Sequence, residues 1–254
     1  MNSIINSCQI KFSQNPQLLD SNKITIVFLH DSLGCIELWR DFPEKIKSAT
    51  GYNVLSYDRQ GYGQSAPFEV KTRKLDYLKN EAIVLAKIID QLDLKNIVLF
   101  GHSDGGSIAL LTAALFPDKI KGIITEGAHV FVEEETLSGI RQAVEAYQNT
   151  NLKEKLSKYH GVKTDEVFRM WAETWLSADF KNWNIEEYLS KITCPSLIIQ
   201  GEKDEYGTIA QVHSIVGNTG GISTPMLIPN VGHTPHKEVP DLIVNKTNDF
   251  LLSL

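Results

Sequence analysis

A chain of 254 residues with 42% hydrophobic and 22% charged residues carries enough apolar material for a sizeable core, which excludes wholesale disorder. Its formal charge of -6 and the lack of basic clusters argue against a nucleic-acid partner. Three scattered cysteines, Cys8, Cys35 and Cys194, lack CxxC spacing, so neither a disulfide framework nor a zinc site is indicated and a reducing cytoplasm fits best.

Met1 to Ile10 lacks the basic start and long apolar run of a secretory leader, and no later stretch approaches the roughly 18 apolar residues of a membrane span. A soluble, cytoplasmic protein with no membrane partner is expected. Gln9 to Ser13 reads as an antiparallel edge strand. Strands are then expected at Ile24 to Leu29, Asn53 to Tyr57, Ile97 to Phe100, Ile120 to Thr125, Leu197 to Gln200 and Met226 to Ile228, all short runs rich in apolar residues. Between the second and third of these, Leu75, Leu78, Ala82, Leu85, Ile89 and Leu92 recur at the spacing of one helix face. Strands alternating with helices give an α/β class with a mostly parallel sheet.

From Thr125 to Leu197 about 70 residues pass without a parallel strand, more than one crossover needs. Two helical stripes, Leu137-Ile140-Val144-Tyr147 and Phe168-Trp171-Trp175, mark an inserted helical segment, and Thr193-Cys194-Pro195 marks the return to the sheet. The expected division is a core of residues 1–127 and 195–254 with a helical cap of residues 128–194.

The chemistry is carried by Gly101-His102-Ser103-Asp104-Gly105, a G-x-S-x-G run between an apolar strand and a helical segment. A serine on such a turn stands above the sheet, and the helix N-terminus offers N–H donors to a developing oxyanion. A serine hydroxyl needs a base, and the base an orienting acid. Asp204, in Gly201-Glu202-Lys203-Asp204, and His233, in Asn230-Val231-Gly232-His233, each follow a strand. In a parallel sheet those loops lie on one side with the Ser103 turn. Glu202, Glu205 and Glu126 are the rival acids, and His236 is the rival base. His30 and His102 read as loop braces, Tyr206 and Arg59 as turn, packing or substrate-contact residues, and Trp171, Trp175, Trp183 and Phe168 as packing that also has the option of lining an apolar pocket.

Together with Phe28-Leu29-His30 and Asp58-Arg59-Gln60-Gly61-Tyr62-Gly63-Gln64-Ser65, these motifs make nearly the whole chain resemble the α/β-hydrolase superfamily. The resemblance implies an eight-stranded, mostly parallel sheet flanked by helices, a helical cap inserted after the sixth strand, no cofactor and no metal. It also implies Ser103, Asp204 and His233 as catalytic triad, with an oxyanion hole from the backbone N–H groups of Asp104 and Ser32. The chain departs from the family at Asp31, where glycine is usual, and at Asp104, where a neutral residue is common. Each carboxylate either caps nearby backbone or faces the pocket and disfavours anionic substrates. Asp31, Trp171 and Trp175 are taken as substrate-binding candidates. The leading expectation is hydrolysis of a small carboxylic ester, or of an amide or thioester, through an acyl-enzyme on Ser103. Alternatives are carbon–carbon bond hydrolysis or cofactor-free elimination by the same triad, and a ligand receptor that keeps the fold. The partner is a small molecule in each case.

Overall fold

The computed structural model describes residues 1–5 and 7–254. Eight strands, β1 (Asn2–Ile5), β2 (Cys8–Phe12), β3 (Thr25–Leu29), β4 (Asn53–Asp58), β5 (Ile97–His102), β6 (Ile120–Glu126), β7 (Ser196–Gly201) and β8 (Ser223–Ile228), form one sheet. Its order is β1-β2-β4-β3-β5-β6-β7-β8. β2 runs antiparallel to both β1 and β4, and the remaining pairs are parallel. The parallel strands β3 and β5 are buried along their whole length. Both their faces are covered, which is why their sequences read as unbroken apolar runs.

Alternation along the strands sends side chains to two cores. Ile26, Phe28, Val98 and Phe100 face one core, which they share with α1 (Phe42–Thr50) through Phe42 and Ile46. Val27, Leu29 and Leu99 face the other, against α2 (Tyr77–Gln91) and α3 (Asp104–Leu115). α3 is buried on every side, and its small residues Gly105, Gly106, Ala109, Ala113 and Ala114 let it lie close against the sheet.

Between β6 and β7 come α4 (Glu134–Asn149), α5 (Leu152–His160), α6 (Thr164–Trp175) and α7 (Glu186–Leu189). Trp175, Phe180 and Trp183 pack ring against ring here. His160 and Lys163 tie the segment to the body: His160 Nε2–H donates to the Leu33 carbonyl, His160 Nδ1 accepts the Gly63 N–H, and Lys163 donates to the Tyr62 and Ser65 carbonyls. The chain then continues through α8 (Ile209–Asn218), α9 (Pro235–Glu238) and α10 (Pro240–Leu252), the last packing on α1 through the first core.

Two local expectations are revised. The strand at Cys8–Phe12 is not an edge strand, because Asn2–Ile5 pairs outside it. The helix expected from Leu75 starts at Tyr77, leaving Leu75 48% exposed on the preceding loop. Among the described residues no helix is long and apolar enough to cross a membrane.

Candidate functional site

The turn between β5 and α3 puts Ser103 at φ 54°, ψ -121°, a backbone conformation that costs a non-glycine residue energy and is tolerated where the surroundings enforce it. The enforcement comes from the glycines. A methyl on Gly101 would overlap the Gly105 carbonyl, and one on Gly105 would overlap the Leu29 carbonyl. A methyl on Gly106 would lie 2.7 Å from the Ala128 Cβ. The turn is thus pressed against β3 and the end of β6, and Ser103 N–H donates to the Glu126 carbonyl at 2.8 Å.

Asp204 and His233 sit on the loops after β7 and β8, and these loops are cross-tied by backbone bonds, Glu202 N–H to Ile228 O and Lys203 N–H to Val231 O. A side chain at Gly201 would overlap the Val231 carbonyl, so glycine permits this approach. His233 Nδ1 lies 2.8 Å from Asp204 Oδ1 and 2.9 Å from Oδ2. Asp204 Oδ1 also accepts the Tyr206 N–H, which orients the carboxylate. Burial works to raise the Asp204 pKa, but the charge and hydrogen bond of His233 outweigh it and hold the carboxyl below its ordinary range. For His233, burial works downward and Asp204, by charge and hydrogen bond, outweighs it; Glu205 and Asp31 add to the upward shift.

The rivals are otherwise engaged. Glu126 is buried and bonded to His236 Nδ1 at 2.6 Å; burial pushes its pKa up to about 7. Glu205 accepts the backbone N–H of His233, not its ring, and Glu202 is exposed.

Ser103, Asp104, His233, Asp31, Ser32, Trp171 and Trp175 line one cavity of about 130 Å³, together with Leu33, His102, His129, Thr136, Ile140, Tyr206 and Thr234. The Ser103 hydroxyl is not hydrogen-bonded to His233 among the described residues, although both line this cavity. In the loop after β3, Leu33 N–H is taken by Asp31 Oδ1 and Gly34 N–H by the Asp31 carbonyl. The N–H groups of Ser32 and Asp104 enter no hydrogen bond among the described residues, which leaves them available to a ligand.

Asp104 is 1% exposed. Its Oδ2 accepts the Tyr77 hydroxyl at 2.9 Å and lies 3.9 Å from Arg59 Nη1, while Oδ1 is buried with no partner. Trp175 Nε1–H donates in turn to the Tyr77 hydroxyl at 2.9 Å. Arg59 braces the loops by donating to the carbonyls of His30 and Asp31, and its backbone N–H donates to His30 Nε2. Asp31 caps backbone through Leu33 N–H and also borders the cavity.

Two residues of the site, His129 and Tyr77, stand in no motif of the sequence. His129 is 3% exposed, its Nε2–H donates to the Tyr206 carbonyl at 2.9 Å, and its Nδ1 is buried without a partner. Burial lowers its pKa, with the neighbouring His233 acting the same way. Its position three residues past Glu126, at the C-terminal end of a parallel strand, was the available signal. Tyr77 gives none, because it stands off the Leu78-Ala82-Leu85 stripe at the start of a helix, where no motif marks it. Among the described residues no group of three His, Cys, Asp or Glu side chains is placed to hold a metal ion.

An eight-stranded sheet with a strained serine turn and an acid–histidine pair on one rim defines the class. The family model described as alpha/beta hydrolase fold matches residues 24–181, and the chain belongs to that family. The human serine hydrolase BPHL is 27% identical, the match covering 97% of this chain and 84% of that protein. The karrikin insensitive 2 receptor IA of Petunia hybrida is 22% identical over 93% of each chain. A solved alpha/beta hydrolase enzyme from a Medee basin deep-sea metagenome library superposes with a TM-score of 0.79 at 20% identity, covering 99% of this chain and 97% of its own.

Proposed function

We propose that this protein is a serine hydrolase that cleaves a small carboxylic ester through an acyl-enzyme on Ser103. The observation that carries the reading is the two-oxygen contact of Asp204 with His233 Nδ1, beside a serine held on a strained turn in the same cavity. Asp204 fixes the tautomer with the proton on Nδ1 and leaves Nε2 free to act as base. Ser103 Oγ has to reach that nitrogen when substrate enters, as catalytic hydrogen bonds commonly tighten on binding. Oγ attacks the ester carbonyl, Nε2 takes its proton, and the oxyanion is received by the N–H groups of Asp104 and Ser32. The imidazolium then protonates the departing alkoxide, and water activated by His233 releases the acid. We assign residues 128–194 as the cap, since Thr136, Ile140, Trp171 and Trp175 from that segment wall the cavity, and residues 1–127 and 195–254 as the core.

The lining also supports a substrate class. A cavity of about 130 Å³ walled by Leu33, Ile140, Trp171 and Trp175 suits a small apolar group. Asp104 Oδ1 and His129 Nδ1 are buried acceptors lacking donors, so the favoured ester brings a donor of its own, most favourably a cationic ammonium. No lysine or arginine is among the lining residues, which weighs against the carboxylate substrates of carbon–carbon bond hydrolysis. Turnover of amino-substituted, neutral and carboxylated p-nitrophenyl esters of matched size, with wild type and Ser103→Ala, tests both parts.

The likeness to a karrikin receptor supports a second reading, a ligand receptor with little turnover. Burst kinetics separate the two: repeated product release supports the enzyme, and a single stoichiometric burst supports the receptor.

A further inference from the structure

The aspartate at position 31 has a partner that the reaction outlined above does not use. Asp31 Oδ2 lies 3.3 Å from His102 Nδ1, and the other ring nitrogen, Nε2, lies 2.8 Å from the main-chain carbonyl oxygen of His233. Both neighbours of the ring are acceptors. A neutral imidazole owns one N–H and would leave a lone pair facing one of them; a ring with two protons presents an N–H to the carbonyl and a positive charge to the carboxylate. His102 is 2% exposed, so water has little access to fill the role. The loop is shaped around the carboxylate: Oδ1 takes Leu33 N–H, and a side chain at Gly34 would come within 2.8 Å of that oxygen.

Other groups bear on the ring from every side. The His233 and His236 rings lie 5.0 and 5.1 Å away, and the register of β5 on β6 puts Glu126 beside His102. Lys237, on α9, acts on both Asp31 and Glu126. Burial lowers the His102 pKa, with His233 and His236 acting the same way and Asp31 opposing. Asp31 is itself held far below the usual carboxylate range, against burial, by the neighbouring His102. These pulls conflict, and the two acceptors flanking one ring decide between them.

We propose that His102 is a positioning residue, a buried imidazolium that joins the Asp31 carboxylate to the His233 carbonyl and so fixes the loop that carries the general base. The kinetic part rests on the reading of His233 as that base; the charge state does not. Because the pair is internally neutral, it anchors the loop while leaving the net field at His233 nearly unchanged. Removing one member exposes the other's charge.

Nitrogen NMR of histidine-labelled protein reads the ring directly. At about pH 7, where an unperturbed histidine is mostly neutral, wild type should show His102 with both nitrogens protonated, and Asp31→Asn should reduce this to one proton. His102→Gln identifies the resonance among the seven histidines. It also keeps a donor for the His233 carbonyl while leaving the Asp31 charge unopposed. The acid limb of kcat/KM for p-nitrophenyl acetate should therefore move to higher pH by roughly half a unit or more. KM should stay within about twofold. Adding Asp31→Asn to His102→Gln should return the limb toward wild type. A single proton on wild-type His102 between about pH 6 and 8 would overturn the proposal, as would an unmoved limb in His102→Gln. If His102→Gln fails to fold, the resonance that responds to Asp31→Asn carries the decision. His233→Ala separates the two readings: retained ester turnover there rejects His233 as base, and the NMR result still decides the charge of His102.

Discussion

The ring of His233 faces both carboxylate oxygens of Asp204, at 2.8 and 2.9 Å, across two loops that backbone bonds tie together. Asp204 favours the protonated ring, so the His233 pKa lies above the ordinary histidine value. As the proposed base, His233 works only when neutral. Activity should therefore be lost as pH falls and be recovered through a pKa above about 6.5. Asp204→Asn should lower the plateau of kcat by about a thousandfold or more and move the acid limb to lower pH. A kcat/KM–pH profile of both proteins checks the sign.

Asp104 keeps one buried oxygen free while the other holds Tyr77. Replacing it with asparagine preserves the backbone N–H proposed for the oxyanion hole but removes the charge. An ammonium-bearing ester should lose about ten- to a hundredfold in kcat/KM, and a matched carboxylated ester should gain. Equal changes for both esters would assign Asp104 to the loop alone.

Tyr77 accepts from Trp175 and donates to Asp104, so Tyr77→Phe strands two buried polar atoms. The expected cost is about 1–3 kcal/mol, read as a melting temperature lower by a few degrees. Preference for the ammonium ester should weaken in the same variant, because Asp104 loses the hydroxyl that holds its orientation.

Two glycines give opposite expectations. Gly105→Ala would drive a methyl into the Leu29 carbonyl and should cost about 3 kcal/mol or more, with loss of soluble protein as the extreme outcome. Gly217→Ala, within α8 and with nothing within 4 Å of the added carbon, should stabilise by about 0.5–1 kcal/mol. Chemical denaturation of the pair measures both.

Much of this site is legible in the sequence because its parts are local. Gly101 to Gly105 announces a strand, a tight turn and a helix within a few residues, and the places of Asp204 and His233 after apolar runs follow from strand ends alone. β1 escaped because Asn2–Ile5 is short and half polar, with Ile4 60% exposed, so it lacks an apolar run to notice. The partners of Asp31 and Asp104 escaped for another reason. His102, Tyr77 and Arg59 reach them only after β3, β4, β5 and α2 have come together, and no spacing in the chain encodes those contacts.

In the proposed reaction Ser103 is the nucleophile, activated by His233 and Asp204. Intact mass measurement after exposure to a fluorophosphonate, followed by peptide mapping, tests it most directly. One adduct per chain is expected, carried on Ser103, absent in Ser103→Ala and formed far more slowly in His233→Ala. Labelling of Ser103→Ala at the wild-type rate, or an adduct mapping to another residue, would contradict it.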